Sequence, residues 1–130
     1  MHRFREAVEA GDLDAVPAML AEDAIFRSPV VFRPFEGRDY VAAVLLAAAR
    51  TLEGLTYERE MSSADGRDHA LMFRAKVGDK EIHGCDFIRE NDAGEIAEFT
   101  VMLRPLSAVQ TMGEAMIAAI EQAKGEMALD

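Results

Sequence analysis

At 130 residues the chain has room for one domain and not two. Half of it is apolar and 29% is charged, which excludes a disordered or low-complexity chain. With 24 acidic against 14 basic residues the formal charge is −10, a field that repels phosphate backbones, and the arginines are scattered, so no nucleic-acid partner is expected.

Phe4 and Val8, with alanines between them, predict a short first helix with one apolar stripe. Gly11 suits its left-handed end. Asp12 is placed to cap a second helix carrying Leu13, Val16 and Leu20 on one face, although Pro17 fits there only near the first turn. Ala24 to Ser28 reads as a short strand interrupted by Pro29, Val30 to Arg33 as a second extended piece, and Pro34 to Arg38 as a turn. A third helix runs from Asp39 to about Leu52. Its surface is apolar nearly all round, so burial on more than one side is expected.

From Leu55 the period switches to two. Leu55, Tyr57, Arg59 and Met61 alternate with Thr56, Glu58 and Glu60. Asp65-Gly66 is a hairpin turn, and His69 to Val77 is the next strand, with Leu71, Phe73, Ala75 and Val77 on one face. After Gly78-Asp79 come strands from Glu81 to Glu90 and from Ile96 to Arg104, the latter with Phe99, Val101 and Leu103 on one face. Pro105 stops the last strand. Ser107 and Gln110 have capping-box spacing for a final helix, about 107–123, with a stripe of Val109, Gly113, Met116, Ile117 and Ile120 and a fraying tail after Lys124.

Helices set apart from a meandering antiparallel sheet indicate an α+β fold. The long apolar third helix needs a concave surface, which a strongly curved, cone-shaped sheet wrapped around the helices supplies. The final helix either closes the open end of that cone or covers the outer sheet face.

The single cysteine, Cys85, permits no intrachain disulfide and no Cys-x-x-Cys site. None of the three histidines, His2, His69 and His83, stands at helical ligand spacing, so no metal and no cofactor is expected. The longest apolar run, Val41 to Ala49, is far short of the roughly 20 residues of a membrane span. Residues Met1 to Glu6 lack an apolar signal core. A soluble protein of a reducing compartment, most simply cytoplasm, is the expectation.

The Gly11-Asp12-Leu13-Asp14 junction, the Ala24-Ile25-Phe26-Arg27-Ser28-Pro29 strand end and the Phe35-Glu36-Gly37-Arg38 turn recur in one known arrangement. So does the hairpin Gly84-Cys85-Asp86-Phe87-Ile88-Arg89 followed by Asp92-Ala93-Gly94-Glu95-Ile96. In order and spacing these segments, from about Arg3 to Arg104, resemble the nuclear transport factor 2-like superfamily, in its SnoaL-like and ketosteroid isomerase-like branches. The resemblance implies a small-molecule pocket, and it implies that Asp86 matches the isomerases' protonated oxyanion-hole aspartate. Their tyrosine donor on the first helix is matched by Phe4, and their general-base aspartate before a proline by Ser28. With one of three positions kept, a steroid-type isomerase is not expected. Family members also pair sheet to sheet, which implies a homodimer through the outer face.

Read from the residues, Asp86 shares a strand face with Ile82, Gly84 and Ile88. If that face looks inward, one carboxyl lies among Leu71, Phe73, Phe99, Val101 and Leu103, its pKa raised by burial, and it serves as an acid, a base or a neutral donor. The alternative is an aspartate that bonds a backbone group or a Tyr hydroxyl and holds the fold. Ser28 is placed to orient a ligand or to close a turn. Tyr57, ahead of Tyr40, is a phenol within reach of a ligand or of Asp86, or a core residue with a bonded tip. His83 is opposite in phase to Asp86 unless Gly84 permits a bulge, and His69 lies near a hairpin end.

Met61, Met72, Met102, Met112 and Met116 line an adaptable pocket or fill core and interface gaps. Cys85 and Phe87 share the outward phase with Met102. Three functions follow: an acid–base enzyme of the isomerase, cyclase or dehydratase class acting through Asp86 on a small apolar molecule; a non-catalytic binder of a hydrophobic ligand in the same pocket, lined by Phe4, Ser28, Tyr57, Phe73, Phe99, Val101 and Leu103; or a dimeric association module whose interior is filled by its own side chains.

Overall fold

The computed structural model describes the backbone of residues 1–128, with side chains at 1–119, 121 and 122. Helix α1 (Arg3–Ala10) is followed by two short 3-10 turns, Leu13–Ala15 and Pro17–Met19. Then come β1 (Leu20–Arg27), β2 (Phe35–Glu36), α2 (Arg38–Thr51), β3 (Glu53–Ser62), β4 (Asp68–Val77), β5 (Lys80–Glu90), β6 (Ile96–Arg104) and α3 (Leu106–Ala128).

The expected second helix is replaced by the two 3-10 turns. Pro17 opens the second of them, where its missing N–H costs nothing, and a continuous helix through it is ruled out. Asp12 makes no side-chain cap bond. Leu20, assigned to that helix from sequence, instead begins β1, which is four residues longer at its start than expected. Gly11 does end α1 in the left-handed conformation, at φ 72°. Val30 to Arg33 forms bends, and the second extended piece is Phe35–Glu36, within the expected turn.

The strands form one sheet in the order β2-β1-β6-β5-β4-β3. Four neighbouring pairs are antiparallel, but β1 runs parallel to β6, because the whole of α2 and the β3–β5 meander lie between them in the chain. The ends of the sheet, β2 and β3, do not pair, so it curves without closing. Register shifts in β1, β3 and at the β5–β6 end supply the bend, since an extra residue on one strand sharpens its twist.

One shift changes sides. Tyr57 pairs with Phe73 but Arg59 pairs with Met72, so Glu58 is the extra residue. The expected Leu55–Tyr57–Arg59–Met61 face therefore breaks in the middle. Tyr57 stays inward, Arg59 and Met61 turn to solvent, and Glu60 turns in. Gly84 makes no such bulge, since β4 and β5 pair without interruption from Asp68–Arg89 to Val77–Lys80.

The core fills the concave side. Phe26, Val41, Val44, Leu71, Phe73, Ile82, Ile88 and Phe99 are fully buried there. Each large apolar side chain so placed contributes roughly 1.5–3 kcal/mol of transfer free energy. Helix α2 lies in the hollow, with Val41, Val44, Leu45 and Ala47 buried. Helix α3 packs on α2 and on β4, β5 and β6. Its buried face is Ala108, Met112 and Met116; of the expected stripe Met116 is buried, Val109 and Gly113 are half-buried, Ile117 is exposed, and the Ile120 side chain lies outside the described residues. The helix is apolar on several sides, so periodicity alone left its facing ambiguous. Its place in the fold settles the open alternative: α3 closes the cone.

Candidate active site in the concave sheet

Strand alternation on β5 puts Ile82, Gly84, Asp86 and Ile88 on the concave face, and all four are buried. Asp86 pairs with Leu71 on one side and Val101 on the other. Asp86 is 6% exposed, and its Oδ2 accepts a hydrogen bond from the Tyr57 hydroxyl at 3.1 Å. Desolvation pushes the Asp86 pKa up to about 7, with the Tyr57 bond pulling partly the other way. Burial and the Asp86 charge drive the Tyr57 phenol far above its ordinary value, so it remains a donor at any working pH. The Arg5 guanidinium sits 5.7 Å from the Tyr57 ring centroid, on the face that attracts cations.

Gly84 makes this packing feasible. A Cβ there would lie 2.5 Å from Leu103 Cδ2, 2.6 Å from Phe73 Cζ and 3.0 Å from the Met102 carbonyl oxygen. The missing side chain lets Phe73 and Leu103 approach across β5, two residues from Asp86.

A cavity of about 60 Å³ opens beside the carboxyl. Phe4, Ser28, Tyr57, Phe73, Asp86, Phe99, Val101 and Leu103, the residues singled out from sequence, all line it. Phe4 and Phe99 meet edge to face with ring centroids 4.8 Å apart. Ser28 is at once a wall residue and a turn residue, its Oγ accepting from the Val30 amide at 3.0 Å. Sequence reasoning did not assign Val8, Phe26, Leu45 or Leu52 to the wall. Met112 and Met116 of α3 complete it, two of five methionines weighed for a pocket, whereas Met61 and Met102 are exposed.

The remaining candidates lie elsewhere. Tyr40 packs edge to face on Phe35, with centroids 5.2 Å apart, outside the Asp86 cavity. His83 is on the opposite face from Asp86, its Nε2 3.4 Å from Glu58 Oε1. Cys85 shares that face, and burial raises its pKa. His69 is at the hairpin end of β4, near His2 and Glu90, a grouping that local spacing in the sequence cannot show because α1 brings in His2 from 67 residues away. No described helix is long and apolar enough to cross a membrane.

Solved structures share this architecture. A steroid delta-isomerase from Pseudomonas aeruginosa is 37% identical, with TM-score 0.88 over 94% of this chain and 89% of that one. A protein with a cystatin-like fold from Silicibacter pomeroyi DSS-3 is 39% identical, with TM-score 0.83 over 89% and 81%. A ketosteroid isomerase assignment from Kribbella flavida DSM 17836, at 24% identity and TM-score 0.61 over 79% and 73%, shares the fold. No curated protein matches the chain significantly. The SnoaL-like domain matches residues 1–99. The fold is also that of a protein described as NTF2-like from Mesorhizobium loti, and the chain belongs to the SnoaL-like family.

Proposed function

We propose that this protein is an acid–base enzyme of the isomerase, cyclase or dehydratase class, acting on a small apolar molecule through Asp86. The observation that carries the reading is a buried carboxyl, the one carboxyl among the described residues lining a mainly apolar cavity, with a Tyr hydroxyl on one oxygen; burial pushes its pKa up to about 7. Near neutral pH such a group exists in both forms, which matches its affinity for protons to the task of taking one and giving it back. In a proton shift, the carboxylate removes a proton from the carbon next to a carbonyl, the C–H pair moves into the π system, and the same carboxyl returns the proton to a different carbon. Tyr57, freed from a neutralised carboxyl, has an O–H to offer the oxygen on which charge develops.

The 37% identity to a structure described as a steroid delta-isomerase supports this class. The substrate itself is argued from the cavity. About 60 Å³ is less than half of the roughly 150 Å³ that admits benzene in an engineered apolar cavity. A substrate of several rings needs more room, and the flexible α3 methionines in the wall are side chains suited to give it. Assay of β,γ-unsaturated ketones of increasing size, a Δ5-3-oxo steroid among them, tests the reading. Asp86→Asn is expected to lower kcat by about 100-fold or more while the circular dichroism stays unchanged. Turnover by that variant equal to the parent's removes the proposal.

A second reading, non-catalytic binding of a hydrophobic ligand, is favoured by Phe4 and Ser28, which stand where the resembled isomerases have a donor and a base. Homodimerisation is proposed on separate grounds: Phe87 and Met102 are exposed on the outer face of neighbouring strands.

A further inference from the structure

The concave face continues past Asp86 to a second polar group of residues, at the far end of β4 and β5. His69 and Glu90 project there, and His2, at the head of α1, closes over them. We propose that His2, His69 and Glu90 form a binding site for a divalent transition-metal ion of the Zn²⁺ type, held by two imidazole nitrogens and one carboxylate oxygen.

The donor set is the first argument. Two imidazoles and a carboxylate are borderline ligands of the kind Zn²⁺ takes, with a further position left for water. Spacing is the second. The three donor atoms lie within 4.8 Å of one another, and His2 Nε2 is 3.3 Å from Glu90 Oε2. Ligands about 2.1 Å from a tetrahedral ion stand about 3.4 Å apart, so small side-chain adjustments suffice.

Burial is the third argument, and it is independent of the other two. His2 is 8% exposed, and its buried Nε2 lies 3.3 Å from Glu90 Oε2, in poor alignment for a hydrogen bond and with no better partner among the described residues. Burying a polar atom that is poorly paired is costly, so this nitrogen favours a better partner inside the cluster. The two imidazoles meet edge to face with centroids 4.5 Å apart, directing their nitrogens toward Glu90.

The supporting residues suit the arrangement on one side and resist it on the other. His69 Nε2 is hydrogen-bonded to Glu90 Oε2 and Nδ1 is 2.7 Å from Ser62 Oγ; an ion that replaces the Nε2 proton leaves Nδ1–H to donate to that hydroxyl, the usual way a ligating imidazole is oriented. Glu60 adds negative charge nearby, its Oε2 accepting the His2 main-chain N–H at 2.8 Å, while Arg3 lies 4.0 Å from Glu90 Oε1. Against binding, His2 Nδ1 accepts the Phe4 amide at 3.0 Å and so caps α1. Coordination through Nε2 moves the ring proton to Nδ1 and ends that bond. Ion binding therefore has its own signature, a changed Phe4 amide.

An ion in this place would tie α1 to β4 and β5, and with α1 the Phe4 ring that lines the Asp86 cavity. The proposal does not rest on activity at Asp86, and its test reads the ion alone. Chelator-treated, untagged full-length protein is titrated with Zn²⁺ by calorimetry and with Co²⁺ by absorption, and the wild-type amide spectrum is followed with one equivalent of Zn²⁺. One ion per chain is expected, with the Phe4 amide and the His2 and His69 ring nitrogens shifting together. Affinity should fall by about 100-fold or more in His69→Gln and in Glu90→Gln. Absence of stoichiometric binding, equal binding by both variants, or ring nitrogens of the wild-type chain that stay unshifted at saturation each overturns it. The wild-type spectrum decides the matter even if a variant does not fold.

Discussion

The Tyr57 hydroxyl and the Asp86 carboxylate meet at 3.1 Å in a cavity whose other lining side chains, Ser28 apart, are apolar. This geometry makes stability depend on pH in a defined direction. The Asp86 pKa is about 7 in the folded chain against 3.8 when exposed. Between those values the folded chain holds a proton that the unfolded chain has released, so stability falls as pH rises from about 4 to 7 and is level above. The full difference is on the order of 4 kcal/mol as an upper bound. Asp86→Asn carries no charge in either state and should lose this slope. Urea unfolding of both proteins at pH 4.5 and pH 8 checks it. The parent should lose stability relative to Asp86→Asn at the higher pH, and parallel curves would contradict the burial of a titrating carboxyl.

Replacing Tyr57 by Phe removes the bond that favours the ionised form of Asp86. The carboxyl pKa should rise further, and any rate that needs the carboxylate should move its rising limb to higher pH. A net cost of about 1–3 kcal/mol in stability is expected above neutrality, where the buried charge loses its donor. Carboxyl ¹³C titration of the parent and of Tyr57→Phe measures the shift directly. An unchanged or lowered pKa would show that the hydroxyl does not interact with the charge.

Much of this site was legible in the sequence because period-two alternation is strict where a strand has one buried face. Leu71, Phe73, Asp86 and Phe99 all fall on the expected side. Alternation failed at Glu58, since a single inserted residue reverses every later side chain and leaves no local mark in a run of polar residues. It is that reversal which turns Glu60 inward to meet His2. The stripe of α3 was right at Met116 and misplaced elsewhere for a different reason. Val109 and Ile117 look like better core residues than Ala108 and Met112, but the surface α3 meets has room for the small and the flexible side chains. The His2–His69–Glu90 group depends on where α1 comes to rest, which is a tertiary outcome that no spacing along the chain encodes.

A bulge at Gly84 was the one route by which His83 could share the Asp86 face; β4 and β5 pair through it without interruption, and the glycine has another role. Its Cβ position is already occupied by Leu103 and Phe73 side-chain atoms, with backbone of Met102 at 3.0 Å. Gly84→Ala should therefore overpack the sheet beside Asp86 and cost about 1–3 kcal/mol or more. The midpoint of urea denaturation should drop with an unchanged m-value. Stability equal to the parent's would mean that Phe73 and Leu103 have more freedom than their packing indicates.

Phe87 is 41% exposed and Met102 60% exposed on the outer face, where Cys85 pairs with Met102 across the strands. If two copies join there, Met102→Lys places a charge in each half of an apolar seam, and dissociation to monomer is expected. Sedimentation velocity over a range of concentration checks it. Equal mass for the parent and Met102→Lys at every concentration would remove this face as the joining surface.

Met116 separates the cavity from the surface of α3, and it is 4% exposed. Truncation to Ala should cost about 2–5 kcal/mol, as removal of a buried Met does where the surroundings do not collapse. The same change enlarges a space that is now about 60 Å³. If the present volume limits which molecules reach Asp86, Met116→Ala should bind a small aromatic such as indole more tightly than the parent, by roughly tenfold, despite its lower stability. A weakened fold that merely loosens would bind the probe with no dependence on the carboxyl, so the control is the double variant with Asp86→Asn. A polar indole analogue whose N–H reaches the carboxyl should lose its advantage in that double variant, while naphthalene should not. Equal binding of both probes by parent and Met116→Ala would show that the methionine does not set the size of the pocket.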